Sequence, residues 1–354
     1  MDHKILLQKL EAYGVRGLPL LWFQSYLNER LQFVQIGSAK STYLKTKNGV
    51  PQGSILGPLL FILYVNDINE YCGNANLFLY ADDSTLLFGG NKEQLELRVT
   101  EAIQKLIYWL KDNNFSLNVE KTKQVNFLTK NNTLPPISLN IYNKKVENCE
   151  TLKFLGLTLD NKLTWSNHIT NLCKKLSNAN YALRTLVRIM KNETVMIAYH
   201  GYFASLLAYG IELWGSSTFA KQVFKIQKRA VRIITNTSVN TSCRGLFKSL
   251  GILTVPSLYI YKVILYSKLK CKVSTVGEMH TYFTRFGNLQ RIPTHHLSLY
   301  EKRITYAGIK FFNQLPNEMR QITSINKFKH ILKMYLIKNE YYSIEDFLHE
   351  KIYE

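Results

Sequence analysis

Residues 77–87 read Leu-Phe-Leu-Tyr-Ala-Asp-Asp-Ser-Thr-Leu-Leu, two apolar runs of β-type residues meeting at the adjacent acids Asp82 and Asp83. The pattern predicts a hairpin, strands near 77–80 and 85–88, with an acidic tip. Neighbouring carboxylates repel unless a cation neutralises them, and hard oxygen ligands suit Mg²⁺. Two such ions held close together activate an attacking oxygen and stabilise a leaving one in phosphoryl transfer. Taken alone, the same residues also make an ordinary solvated turn, because Asp favours turns.

Working upstream, residues 49–61 read Gly-Val-Pro-Gln-Gly-Ser-Ile-Leu-Gly-Pro-Leu-Leu-Phe. A turn there enters an apolar helix over roughly 54–71. Gln52 and Gly53 place an amide and bare backbone at its start, where a base pair or phosphate can approach. A plain loop-to-helix junction reads the same way. Two helical stretches precede it over 3–29, broken near Gly14, Gly17 and Pro19, and two short strands lie near 31–36 and 42–47. Downstream, Asn91 with Gln94 resembles a capping box opening a helix to about Lys111. Residues 115–123, Phe-Ser-Leu-Asn-Val-Glu-Lys-Thr-Lys, offer Lys121 as a lysine that can protonate a leaving pyrophosphate, or as a surface lysine. Strands are expected near 125–128, 137–141 and 154–159, with a glycine at Gly156 that lets another backbone lie near. From Trp165 the pattern is helical to about Ile234, and mixed after that.

The 354 residues carry 45 Lys and Arg against 25 Asp and Glu, a net +20. Between Trp165 and Lys310 the count is 21 basic to 4 acidic, so this region holds +17 and the rest only +3. That excess points to a polyanion, nucleic acid first, and tells against an acidic partner. Aromatics interleave with the charges, Tyr181, Tyr202, Tyr209 and Trp214 among them, as on a surface that tracks a phosphate backbone. Residue by residue, the same groups also read as core and solvated face. No basic amphipathic helix with a clean apolar face is expected there, so no membrane partner is. Five scattered cysteines without C-x-x-C spacing exclude a disulfide framework and fit a reducing compartment. No signal peptide or membrane-spanning run is visible, and the expected location is intracellular, nuclear or cytoplasmic.

Gly-Val-Pro-Gln-Gly-Ser-x-Leu-Gly-Pro at 49–58, Tyr-Ala-Asp-Asp at 80–83, Asn-x-x-Lys-Thr at 118–122 and Phe-Leu-Gly at 154–156 follow in that order. The set resembles the reverse transcriptases of non-LTR retrotransposons, most of all the Jockey group of insects. The opening Asp2-His3-Lys4-Ile5-Leu6-Leu7, Tyr209-Gly210-x-x-Leu213-Trp214-Gly215, Gln227-Lys228-Arg229-Ala230-x-Arg232-Ile233-Ile234 and Phe312-Asn313-Gln314-Leu315-Pro316 agree with it. The resemblance implies an α+β right-hand polymerase. Residues 1–164 would be a partial fingers and palm, 165–245 a basic helical thumb, and 246–354 a mixed, helical region of no assigned role. It makes Asp82 and Asp83 the catalytic metal ligands for Mg²⁺, with Mn²⁺ as a substitute. Tyr80 would lie under the primer end, and Gln52 and Gly53 would line the nascent base pair and template. Lys121 would sit near the incoming triphosphate, and Phe154, Leu155 and Gly156 in the primer grip. The partners implied are an RNA template, a DNA primer and deoxynucleoside triphosphates.

In the family a third metal carboxylate lies in an Asp-x-x-x-Ala-Phe-Asp segment just before the stretch matching Asp2-His3. The expectation is therefore that this chain lacks that ligand, part of the fingers and the family's endonuclease domain. Asp2 does not take the catalytic place, and Asp67 reads as a helix-terminus residue. Losing a metal-bridging carboxylate removes several kcal/mol of transition-state stabilisation. On this reading the chain is inactive or nearly so by itself, a truncated element copy or partial gene model. The alternative function is a non-catalytic RNA- or DNA-binding remnant of a transposable element.

Overall fold

The structure, a computed structural model, describes residues 1–73, 75–127, 137–270, 289–295 and 298–350. The expected strand end at Leu128 and the stretch 271–288 lie outside them. The chain forms two compact units, Met1–Cys149 and Glu150–Glu354, of mixed helix and hairpin, an α+β composition. Among the described residues every β ladder has two strands. No helix among them is long and apolar enough to cross a membrane.

In the first unit, α1 (His3–Ala12) starts at Asp2, whose Oδ1 accepts the backbone N–H groups of Lys4 and Ile5. Leu6 and Leu10 on its inner face meet Leu27 of α2 (Leu18–Leu27) and Leu60 and Tyr64 of α3 (Leu56–Val65). Between α2 and α3 lie β1 (Leu31–Gln32) paired with β4 (Leu44–Lys45), and β2 (Gln35–Ile36) with β3 (Ala39–Lys40). The expected helix over 54–71 stays α-helical only to Val65 and tightens to a 3-10 helix over Asn66–Tyr71. Lys9 competes at the changeover: its Nζ donates to the Tyr64 carbonyl at 2.7 Å and to Asp67 Oδ1 at 2.7 Å. Asp67 is thus held in an ion pair in the first turn of the 3-10 helix.

The hairpin β5 (Asn76–Tyr80) and β6 (Asp83–Leu87) sets Leu77 and Leu86 against Ile68, Leu106 and Trp109. Leu106 and Trp109 belong to α4 (Lys92–Asp112). Asn91 stands at the N-cap of α4, but its side chain makes no capping bond, a departure from the expected capping box. Gln94, the reciprocal partner in that motif, instead accepts from Arg98 one turn on. The unit closes with the parallel pair β7 (Lys123–Gln124) and β10 (Glu147–Asn148), around the hairpin of β8 (Asn140–Ile141) and β9 (Lys144–Lys145).

The second unit begins with the hairpin β11 (Thr151–Phe154) and β12 (Leu157–Asp160). Asp160, only 7% exposed, accepts N–H bonds from Lys162, Thr164 and Trp165 and so turns the chain into α5 (Ser166–Ile189). Then come α6 (Asn192–Ala198), a π-helical turn (Tyr199–Ala204), α7 (Ser205–Ala208), α8 (Ile211–Trp214) and α9 (Ala220–Ile234). Short α10 (Leu246–Ser249) and long α11 (Val255–Lys270) follow, then α12 (Ser298–Glu301), α13 (Ile304–Asn313), α14 (Asn317–Arg320), α15 (Ile325–Asn339) and α16 (Ile344–Leu348). One core runs through α5, α9, α11, α13 and α15. α9 is a basic amphipathic helix, but its buried face carries the fully buried Gln227 among the apolar residues and so is not cleanly apolar. Lys221, Lys225 and Arg229 are exposed, while Val223, Phe224, Ala230, Val231 and Ile234 are buried. That face is covered by the unit's own core, so it is not a membrane-binding face.

Close helix approach shows at Gly308 in α13, where an added Cβ would lie 2.5 Å from Ser267 Cβ and 3.2 Å from the Val263 carbonyl oxygen. Gly201, by contrast, faces open space. Gly308→Ala is expected to destabilise the protein by about 1–3 kcal/mol. Gly201→Ala should be neutral or stabilising by up to about 1 kcal/mol. Urea unfolding of the two variants checks the pair, and equal losses would contradict the packing described.

Candidate functional site

The acidic tip follows from a two-residue reversal. Tyr80 pairs with Asp83 at the end of the ladder, leaving Ala81 and Asp82 as the loop. Ala81 takes φ 51°, a left-handed conformation that costs a non-glycine residue energy and is held here by the ladder on both sides. Asp82, Asp83 and Tyr80 are all exposed, Tyr80 at 66%. Neither carboxylate has a hydrogen-bond or ion-pair partner among the described residues. Two unpaired carboxylates at adjacent positions are hard oxygen donors, a chemistry that suits a divalent ion such as Mg²⁺ or Mn²⁺. Among the described residues, however, no third His, Cys, Asp or Glu joins them.

The Gln52–Gly53 turn is built by a residue that the sequence reading passed over. Ser54 Oγ donates to the Pro51 carbonyl at 2.9 Å and accepts the Gly57 N–H at 3.0 Å, so it caps α3. Gly53 takes φ 83°. A Cβ at the buried Gly57 would lie 3.1 Å from Ser54 Oγ, so the third glycine of the motif keeps this hydroxyl close. Gln52 and Gly53 themselves are exposed. Asn118 plays the matching part for Lys121. Its Oδ1 accepts the Lys121 N–H at 3.2 Å, and its carbonyl accepts Thr122 Oγ1 at 2.9 Å. The Asn-x-x-Lys-Thr spacing is therefore that of a side-chain-closed turn that leaves Lys121 exposed. No hydrogen bond or ion pair among the described residues joins the acidic tip, the Gln52–Gly53 turn and Lys121, though all three belong to the first unit.

Phe154, Leu155 and Gly156 belong to the second unit, at the turn of the β11–β12 hairpin. Leu155 (φ 45°) and Gly156 (φ 82°) are both left-handed, as a two-residue turn matched to strand twist requires. Tyr209 clasps this turn: its hydroxyl donates to the Leu155 carbonyl, and a Cβ at Gly156 would lie 3.3 Å from its ring. The neighbouring Gly210 leaves room for Leu157, since a Cβ there would come within 2.9 Å of Leu157 Cδ2. Trp214 Nε1 donates to the Tyr209 carbonyl at 3.1 Å, and Gly215 admits the Tyr259 ring. Two motifs far apart in the chain thus interlock. On β12, the Thr158 N–H donates to His168 Nδ1 at 3.4 Å. His168 is buried, and its Nε2 has no partner among the described residues. Burial, and then the Lys175 charge, hold its imidazole below the usual histidine pKa.

Residues 1–159 match the family described as reverse transcriptase (RNA-dependent DNA polymerase). The chain is 31% identical over 235 residues to the probable RNA-directed DNA polymerase from transposon X-element of Drosophila melanogaster, covering 62% of this chain and 25% of that protein. It is 28% identical over 229 residues to the RNA-directed DNA polymerase from mobile element jockey of the same species, covering 60% and 24%. The probable RNA-directed DNA polymerase from transposon BS is 30% identical over 249 residues, covering 66% and 27%. The chain thus spans about a quarter of the length of these relatives. No solved structure matches it.

The hairpin anchor makes stability depend on pH. Because His168 has a depressed folded pKa, the unfolded chain binds more protons between that value and about 6.5. Its contribution is present above about pH 6.5 and is lost as pH falls through the folded value. Burial, and then Lys333, depress His200 in the same direction. Unfolding midpoints should fall from about pH 7.5 to about pH 5.5, and His168→Gln should flatten that fall. An unchanged slope in the variant would remove His168 from this role.

Proposed function

We propose that the chain serves RNA-directed DNA synthesis, on the footing that residues 1–159 match the reverse transcriptase family and resemble the Jockey-like enzymes of non-LTR retrotransposons. The reaction is transfer of deoxynucleotides to a primer 3′ end on an RNA template. The observation that carries this reading is the tip itself: two adjacent carboxylates, exposed and unpaired, at a strained reversal. Such a pair is unfavourable until a cation joins it.

In this reading Asp82 and Asp83 hold divalent ions, with Asp82 the principal ligand. Ions bound there supply neutralisation and polarisation of phosphoryl oxygens, the two-metal chemistry of the family. Tyr80 lies beneath the primer end. Gln52 and Gly53 line the nascent base pair and template, Ser54 positions that turn, and Lys121 approaches the incoming triphosphate from a turn closed by Asn118. Phe154, Leu155 and Gly156 grip the primer, kept in shape by Tyr209. Residues up to 164 act as palm and part of the fingers, and the basic helices after Trp165 as thumb.

Two carboxylates are a thin ligand set for two divalent ions, so activity of the chain alone is expected to be weak. The second reading, a non-catalytic nucleic-acid binder, is favoured by the same thin set together with the +17 of residues 165–310. Primer extension separates the two. The chain would be assayed alone and fused behind the part of the jockey protein preceding its matched segment, with RNA template, DNA primer, deoxynucleotides and Mg²⁺. The fusion should extend the primer, and Asp82→Asn within it should lower the rate by about a hundredfold or more. No extension by the fusion, where the jockey protein itself extends, would overturn the polymerase reading.

A further inference from the structure

On the second unit a groove of about 640 Å³ runs between the C-terminal halves of α5 and α9. Four guanidinium groups line it: Arg184 and Arg188 from α5, Arg229 and Arg232 from α9. Val187 and Ile233 supply apolar surface, and no Asp or Glu lines it. Arg188 and Arg232 stand in the last turns of their helices, where a cation complements the helix dipole. Arg232 is also tied to the Thr241 carbonyl at 2.8 Å. Arg184 and Arg229 lie further in, have no such duty, and, like Arg188, have no hydrogen-bond or ion-pair partner among the described residues. Four like charges around one groove repel, and no Asp or Glu among the lining residues offsets them. The missing counter-charge points to an external anion with more than one negative centre.

We propose that this groove binds a single strand of polynucleotide, with Arg184, Arg188 and Arg229 taking successive phosphates. Guanidinium forks match phosphate oxygens in pairs, and apolar Val187 and Ile233 leave room for sugar or base between them. Tyr181 supplies what a strand needs next. It lies one turn before Arg184 on the same face of α5, is 74% exposed, and can stack a base. The proposal rests on the reading that the chain handles polynucleotide, but it does not involve the acidic tip.

The test is fluorescence-anisotropy binding of the whole chain to a short labelled oligoribonucleotide over a salt series. The triple variant Arg184→Gln, Arg188→Gln, Arg229→Gln should bind about a hundredfold more weakly. The slope of log K against log salt should become shallower by about 2, three single-strand phosphate contacts having been lost. A control with equal charge removed elsewhere on the same helices, Lys174→Gln, Lys175→Gln, Lys221→Gln, should stay within about threefold of the parent. The triple Arg→Lys variant keeps the charge and should recover part of the affinity, which separates a lost site from a lost fold. Tyr181→Ala should cost about tenfold at unchanged slope. Equal weakening in the lysine control, parental binding by the arginine variant, or tighter binding to the annealed duplex would each overturn the proposal. Primer extension by the fusion reports on the acidic tip and this salt series on the groove, so failure of the polymerase reading and failure of the groove are told apart.

Discussion

A tyrosine hydroxyl closing on a turn carbonyl organises the second unit. Leu155 and Gly156 reverse the β11–β12 hairpin through two left-handed residues, and Leu155 has no intrinsic preference for that state. Tyr209 holds it there, with the hydroxyl on the Leu155 carbonyl and the ring over Gly156. The clasp works only because Gly210 and Gly215 lack side chains where Leu157 and Tyr259 must sit. Tyr259 passes the constraint on to α13 through its edge contact with Phe311. A short hairpin with half-exposed strands becomes one piece with a helical core, which explains why it groups with the helices after it rather than with the segment before it.

Where the sequence carried period or turn chemistry, the fold could be read from it. The acidic hairpin lies within a residue or two of its expected strands because apolar alternation and a two-residue gap leave little freedom. The helices α4 and α5 also lie where apolar spacing over several turns placed them, whereas α11 and α15 fall in the stretch after Ile234 that read only as mixed. Features set by one distant side chain were not legible. Lys9 ends α3 early from 55 residues away, and Arg98 draws off the glutamine that would complete the cap on Asn91. The apolar face of α9 was hidden by its lysines and arginines, which break up any simple reading of hydrophobicity though they share one side.

At the candidate site the division is similar. The reactive types were visible as letters: an acid pair, an amide beside a glycine, a lysine after an asparagine. The residues that shape the backbone beneath them were not, because Ser54 and Asn118 act by short-range hydrogen bonds that leave no periodic trace. Asn118 and Ser54 did stand inside the quoted motifs, so the signal was present as spacing and lacked only a physical role. Tyr209 and Gly156 likewise appeared as separate motifs, and only three dimensions join them.

The two charged features of the chain constrain each other through the ligand they would share. A polynucleotide carries negative charge along its whole length, so any segment that meets Asp82 and Asp83 meets like charge. Bare, that exposed acid pair repels it. With divalent cations bound, the same tip becomes attractive to phosphate and to a terminal hydroxyl. The +17 of residues 165–310 can concentrate nucleic acid without any metal, whereas approach to the acidic tip requires one. On the proposed reading, metal dependence would divide the molecule's behaviour: capture by arginine would be insensitive to chelation, and chemistry at Asp82 and Asp83 would need bound ions.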